Sequence, residues 1–234
     1  MIISMGSGKG KTRRARSNVA LESAAPTNVL LDWTKEWRNM DGQFHRVGGP
    51  AVVREDGKKE WYQDGKLHRE DGPAVEHANG RKEWYLNGEK HREGAPAVVY
   101  EDGVGEVWYL HGQMHREGGP AYTDSSGAER WYSHGELHRE DGPAIEGELG
   151  VRSWWVHNER HRVDGPAVEW PDGGKEWIVR GKRHREDGPA VEAADGSGEW
   201  FLNGVHTSEE AVKKTLALKH LEEVQLNAPA KVTF

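Results

Sequence analysis

The fold of this chain is decided by a stretch that recurs along it with little change. One copy, residues 82–103, reads KEWYLNGEKHREGAPAVVYEDG. Residues 82–86 have the aromatic content of a short strand, and Asn87-Gly88 is a two-residue hairpin turn whose residues tolerate positive φ. A longer strand follows over residues 90–100, and Asp102-Gly103 repeats the turn chemistry. The unit therefore predicts a strand, a turn, a longer strand and a second turn.

The same unit returns every 23 residues, with a single step of 24. A His-Arg pair marks each copy, at His45, His68, His91, His115, His138, His161 and His184. A proline follows each His by five residues, and because proline cannot donate to a ladder we expect it at a bulge or bend. About eight such hairpins predict an all-β fold: one elongated, twisted antiparallel sheet of about sixteen strands.

The 24-residue step falls between His91 and His115. An extra residue inside a strand would turn every later side chain to the other face of the sheet, so it must be absorbed locally. We predict a bulge or enlarged turn between Gly103 and Trp108. Trp108 should then stay on the face that carries Trp84 and Trp131.

The two ends of the chain differ from the array. Residues 1–28 are predicted to be a basic, disordered tail, residues 29–206 the repeat array, and residues 207–234 a C-terminal helix and tail. Thr207-Ser208-Glu209-Glu210 matches a capping box, and the helix should run to about Leu226. An open sheet needs protection at its last strand, so we expect the helix to cap the array; docking of a partner is the alternative.

Charge separates the tail from the body. The formal net charge is -7, but the first 28 residues carry five basic residues against Glu22, which leaves the tail at +4 and the remainder at -11. The basic residues are Lys9, Lys11, Arg13, Arg14 and Arg16. The chain has no cysteine and no apolar run that could span a membrane, so a soluble, cytoplasmic protein is expected.

The repeat resembles the MORN repeat, which has a similar length, an aromatic strand, an Asn-Gly or Asp-Gly turn and a His near the start of its second strand. The resemblance covers about residues 33–206. The variant His-Arg-x-Asp/Gly-Gly-Pro-Ala is similar to repeat proteins of phages, large viruses and some bacteria. It implies a scaffold, linker or lipid-binding role, in the host cytoplasm or a virion if the source is viral. Where MORN units have glycines, this chain has Arg-x-x-Gly-Pro-Ala.

The recurring histidines do not predict a metal centre. Equivalent residues in adjacent repeats lie two strands apart, roughly 9.6 Å, whereas nitrogen ligands lie about 2.0–2.1 Å from zinc. Structural histidines, with no metal or cofactor, are therefore expected.

Two other columns are candidate binding residues. On a regular strand the Arg after each His points away from the His into solvent, which gives a solvated charged surface or a face that docks a repetitive partner: Arg69, Arg92, Arg116, Arg139, Arg162 and Arg185. The Trp column is predicted to be the core. The residue after each Trp is the second candidate column: Tyr62, Tyr85, Tyr109 and Tyr132.

No motif sets one nucleophile apart, and nothing breaks the repetition to build a distinct pocket. We therefore expect a non-catalytic scaffold for protein–protein interaction or assembly, including a phage or viral structural or host-factor-binding protein. One alternative is nucleic-acid association through the basic tail, which would be non-specific and salt-sensitive because the body is acidic. Another is binding of carbohydrate or lipid headgroups on an aromatic or charged sheet face.

Overall fold

The computed structural model describes residues 25–101 and 103–226 and is almost entirely antiparallel β structure. Seventeen strands form one long sheet, and each strand pairs with the next along the chain. The expected single elongated sheet with one C-terminal helix is confirmed. The strands are Asn28–Val29, Lys35–Glu36, Val52–Val53, Lys59–Glu60, Val75–Glu76, Lys82–Glu83, Val98–Val99, Glu106–Val107, Tyr122–Thr123, Glu129–Arg130, Ile145–Glu146, Arg152–Ser153, Val168–Glu169, Lys175–Glu176, Val191–Glu192, Gly198–Leu202 and Val205–Thr207.

Six two-stranded hairpins, here called the short hairpins, form a second row beside the long sheet. The sequence predicted one strand through each Trp, but the strand breaks there: Trp84 N donates to Ala97 O and His91 N donates to Trp84 O. The hairpins pair Tyr62–Gln63 with Lys66–Leu67, Tyr85–Leu86 with Glu89–Lys90, Tyr109–Leu110 with Gln113–Met114, Tyr132–Ser133 with Glu136–Leu137, Trp155–Val156 with Glu159–Arg160, and Ile178–Val179 with Lys182–Arg183.

Backbone hydrogen bonds also join each short hairpin to the next. Gly88 N donates to Leu67 O over 2.8 Å, and Arg69 N donates to Tyr85 O over 3.1 Å. The turn between the strands has positive φ at both Asn87 (54°) and Gly88 (91°), as the primed two-residue turn requires. The turns of successive repeats therefore lie along one edge of the array.

The extra residue of the 24-residue step lies in a turn of the long sheet. Residues 100–105 separate Val99 from its partner Glu106, whereas residues 54–58 connect the equivalent strands of the first regular repeat. Trp108 N donates to Ala121 O, the same bond that Trp84 makes to Ala97. The prediction of an enlarged turn that leaves Trp108 in register is confirmed.

The most deeply buried residues are the alanines after each proline. All seven have no solvent exposure: Ala51, Ala74, Ala97, Ala121, Ala144, Ala167 and Ala190. The valine that follows is also buried in four repeats, whereas the Trp side chains after Trp37 are only partly buried. The prediction that the Trp column forms the core is therefore corrected: the Trp rings after Trp37 are partly buried, and the alanines and valines lie deepest. The small alanine lets the Trp backbone approach to hydrogen-bonding distance, so alanine occupies the tightest position.

One helix, Glu209–Leu226, ends the described chain. Its N-terminal cap is Ser208, whose Oγ accepts the Ala211 amide over 3.2 Å, so the prediction of Thr207 as the cap was wrong by one residue. Val212 is buried against the end of the array, but Leu221 is more than half exposed. The first half of the helix therefore packs on the last strands, and the second half reaches the array through the Lys219–Glu186 ion pair. No helix in the described residues has the length and apolar content needed to cross a membrane.

Candidate binding surface

The arginine of each His-Arg pair stacks on the Trp of its own repeat. In all seven repeats the guanidinium carbon lies 3.8–4.2 Å from the Trp ring centroid. The prediction that these arginines project into solvent, away from the Trp row, is therefore wrong. The chain bends directly after the His-Arg pair, so the alternation of a regular strand does not extend to this residue. The stacked pairs are Arg46 on Trp37, Arg69 on Trp61, Arg92 on Trp84, Arg116 on Trp108, Arg139 on Trp131, Arg162 on Trp154 and Arg185 on Trp177.

Hydrogen bonds hold each guanidinium in this position. In every loop Nη1 donates to the carbonyl of the proline four residues later, over 3.1–3.2 Å. In the fifth loop Arg139 also donates from Nε to Asp141 and from Nη1 to Glu146. The hydrogen bond from Arg139 and its charge hold the pKa of Asp141 below its usual value. The proline carbonyl at the bend is thereby satisfied by a side chain.

Two classes of loop follow from the residue three positions after His. Where it is Asp, as at Asp141, Arg Nε has a carboxylate partner within 3.1 Å. Where it is Gly, as at Gly94, the position has a φ of 68° and Arg92 keeps the ring stack and the bond to Pro96. Burial lowers the pKa of Arg92. The exchange between Asp and Gly therefore changes the charge at the surface but preserves the Arg-Trp stack.

Carboxylates, not guanidinium groups, are the charges that this surface presents to solvent. The Arg139 side chain is 18% exposed, while the neighbouring Glu140 is 86% exposed. The residue after the Arg is an exposed glutamate in five loops: Glu70, Glu93, Glu117, Glu140 and Glu186. These residues are here called the loop glutamates. The charged surface expected from the sequence is therefore mainly acidic, because its arginines are covered by the Trp stacks.

Two cavities occupy the same place in repeats that are four steps apart. One, of about 480 Å³, lies between Arg139 and Arg162 and is lined by Trp154. The other, of about 400 Å³, lies between Arg46 and Arg69, with Trp61 in the equivalent position. The remaining walls include a loop glutamate and an aspartate in each case, together with small and apolar residues. These two spaces, here called the inter-loop grooves, combine an aromatic wall with charged groups at equivalent places in two repeats.

One residue of the tyrosine column, Tyr85, contacts a buried carboxylate that the sequence did not reveal. Tyr85 donates its hydroxyl to Glu83, which is only 6% exposed and lies within 3.4 Å of charged groups on Arg81 and Lys90 and 2.9 Å from His77 Nε2. Burial acts to raise the pKa of Glu83, but these hydrogen bonds and charges outweigh it and the pKa is lowered. Burial and the Glu83 carboxylate raise the pKa of Tyr85.

The other predicted tyrosines are also half-buried: Tyr62, Tyr109 and Tyr132. Glu83 belongs to a column of buried residues before the Trp that includes Glu36, Glu60 and Glu176. The sequence marks these glutamates only by their position directly before the Trp. In the sheet, each pairs with the residue that follows a buried alanine, as Glu83 pairs with Val75. The four predicted tyrosines therefore present only part of their rings to solvent.

The histidines link neighbouring repeats and do not offer a metal site. In six repeats Nδ1 accepts the backbone amide of the first turn residue in the next short hairpin, over 3.1–3.3 Å. A neutral imidazole that accepts at Nδ1 carries its proton on Nε2, so neither nitrogen keeps a lone pair for a metal. Within the described residues, no group of three or more His, Asp or Glu could hold an ion. The structural role predicted for these histidines agrees with this geometry.

The basic tail residues Lys9, Lys11, Arg13, Arg14 and Arg16 lie outside the described residues. No protein-family model matches this chain, and no curated protein matches it. The resemblance to MORN repeats therefore stays a prediction, and the geometry above is the basis for the function proposed next.

Proposed function

We propose that this chain is a non-catalytic scaffold that presents an extended, periodic surface for protein–protein interaction or assembly. The observation that carries the proposal is the inter-loop groove, which occurs with equivalent residues at Trp61 and at Trp154. A surface that repeats with the fold suits a partner that contacts several repeats at once. Each contact can then be weak while their sum is strong.

The chemistry of the grooves favours a partner with basic and aromatic or aliphatic side chains. Loop glutamates such as Glu70 and Glu140 are more than 80% exposed and have room to pair with Lys or Arg of a partner. The partly buried Trp wall adds apolar contact area, which is a common feature of protein interfaces. The arginines fix the Trp rings and the loop bends, so they shape the surface without supplying its charge.

The proposal is tested with the full chain and a partner captured by photo-crosslinking from the position of Glu93 in native cells. Glu70→Gln, Glu93→Gln and Glu117→Gln should each weaken binding of the purified partner by roughly two- to threefold, because exposed charge pairs contribute little singly. The triple variant should weaken binding by at least roughly tenfold, measured by calorimetry.

A matched control uses exposed glutamates in the turns of the long sheet. Glu55, Glu101 and Glu148 are exposed and lie outside the His-Arg loops, so changing all three to Gln should leave affinity unchanged. Equal losses in both triple variants would contradict binding through the loop glutamates. Complete loss on deleting residues 1–24, with the array folded, would favour the nucleic-acid alternative. Crosslinking to a glycan or lipid instead of a protein would favour the other alternative.

A further inference from the structure

Three consecutive turns in the middle of the array carry a histidine at their first position. Each of these imidazoles packs against the histidine of the His-Arg pair in the preceding repeat, here called the loop histidine. The ring centroids lie 4.4–4.5 Å apart. The pairs are His91 with His111, His115 with His134, and His138 with His157. The other repeats have Asp64, Asn87, Arg180 and Asn203 at this turn position. Stacked histidine pairs are thus confined to the centre of the described array.

In the first two repeats, the turn residue places an oxygen where it can accept a hydrogen bond from the loop histidine. His45 Nδ1 lies 2.9 Å from an oxygen of Asp64, and His68 Nδ1 lies 3.0 Å from Oδ1 of Asn87. If either loop histidine gains a proton on Nδ1, it can donate to that oxygen and remain attached to the next repeat. At the central positions the turn side chain is a second imidazole, which itself gains a proton under the same conditions.

A proton on Nδ1 removes the acceptor of the link between repeats. His91 Nδ1 accepts the His111 amide over 3.2 Å, and His115 Nδ1 accepts the His134 amide over 3.3 Å. Protonation would turn each bond into two opposed donors, and two charged rings in contact would repel. The unperturbed pKa of a histidine side chain is about 6.5. These links therefore require a neutral imidazole and are lost when Nδ1 gains a proton.

The carboxylates that face these rings do not restore the link. Glu93 and Glu140 lie 4.0 and 3.7 Å from Nε2 of His91 and His138, on the opposite side of each ring from the Nδ1 atom. Glu136 lies 2.8 Å from Nδ1 of His157, a turn residue. None of the three carboxylates replaces Nδ1 as an acceptor for the backbone amide. They therefore do not hold the repeats together once the link is lost.

The third central pair already lacks the link. His138 Nδ1 is buried without a hydrogen-bond partner. The second turn residue, Asn158, donates its amide to Leu137 O, as Gly88 does to Leu67 O, and its Oδ1 accepts the Leu137 amide over 2.9 Å. Both turn residues, His157 and Asn158, are non-glycine residues of positive φ. At this pair the repeats are therefore joined through Asn158, without the histidine link.

We propose that the three histidine pairs form an acid-labile joint, at which the array loosens between pH 7.5 and 5.5 while the first two repeats stay linked. The joint would let a scaffold change its curvature or release a bound partner in an acidic compartment. This inference concerns the array itself and holds whatever partner it binds.

Hydrogen exchange of the full chain, with labelling times corrected for intrinsic rates, tests the joint. On lowering the pH from 7.5 to 5.5, amides 109–116, 132–139 and 155–161 should exchange at least roughly fivefold faster, while amides 62–69 should keep their protection. In the combined variant His111→Asn, His134→Asn and His157→Asn, each turn histidine is replaced by the residue that Asn87 provides at the equivalent turn. At pH 5.5 this variant should exchange no faster than it does at pH 7.5.

A gain-of-function variant keeps the test decisive if the triple variant folds poorly. Asn87→His places a histidine beside His68 and should make amides 85–92 acid-sensitive, with circular dichroism at pH 7.5 as the folding control. Equal acid effects in all repeats, or an unchanged effect in the triple variant, would overturn the proposal. So would an Asn87→His chain whose new histidine pair leaves exchange at pH 5.5 unaltered.

Discussion

Replacing Arg139 with Ala should destabilise the folded array, although the side chain lies at the surface. The guanidinium lies 3.8 Å from the Trp131 ring centroid, bonds to Pro143 O and is 18% exposed. A partly desolvated cation–π contact contributes about 1 kcal/mol, and a hydrogen bond from a charged donor about 1.5 kcal/mol. After allowing for solvent at this site, we expect a loss of about 2 kcal/mol, or roughly 4 to 8 °C in Tm.

Thermal unfolding followed by near-ultraviolet circular dichroism measures this loss and reports on the packing of the tryptophan rings. Arg139→Lys should lose most of the same stability, because lysine keeps the charge but lacks the planar group that stacks and bonds at once. Glu140→Ala, in the adjacent and highly exposed position, is the control and should change Tm by no more than about 1 °C. An Arg139→Ala chain with the same Tm as the wild type would refute a structural role for the Arg-Trp stack.

Three further changes test separate parts of the fold. Ala97→Leu should destabilise by about 1 to 3 kcal/mol in urea unfolding, because Ala97 has no exposure and no space for a larger side chain; wild-type stability would contradict the tight alanine position. Gly105→Ala should lower Tm, because an added Cβ would lie 2.6 Å from the Tyr100 ring, and an unchanged Tm would show that the enlarged turn relaxes freely. Val212→Ala should destabilise the C-terminal repeats by about 2 kcal/mol, whereas Leu221→Ser should have no effect in hydrogen exchange; the reverse order would contradict capping by the first half of the helix.

The Arg-Trp stack explains how a thin sheet with few large aliphatic residues stays rigid. Each guanidinium covers a Trp ring, satisfies a proline carbonyl and, in four loops, neutralises an aspartate. Local cross-links of this kind stabilise each repeat where a deep core is absent. Their recurrence means that the loss of one should be felt mainly in its own repeat and its neighbours.

The sequence alone determined the period, the turns and the fold class, because these depend on local chemistry. Asn87-Gly88 specifies a primed turn through the φ values its residues tolerate, and the 23-residue spacing repeats that turn down the chain. The position of the extra residue near Gly103 followed from the same reasoning, since a misplaced residue would reverse every later face.

Only the tertiary structure decided where the side chains of the binding surface lie. The direction of Arg92 depends on the bend that precedes Pro96, and strand alternation does not describe a bend. The burial of Ala97 in place of Trp84 depends on how closely two segments of one repeat approach, which is a property of their packing. The contact between His91 and His111 joins residues 20 positions apart, and the turn geometry of the folded array brings them together.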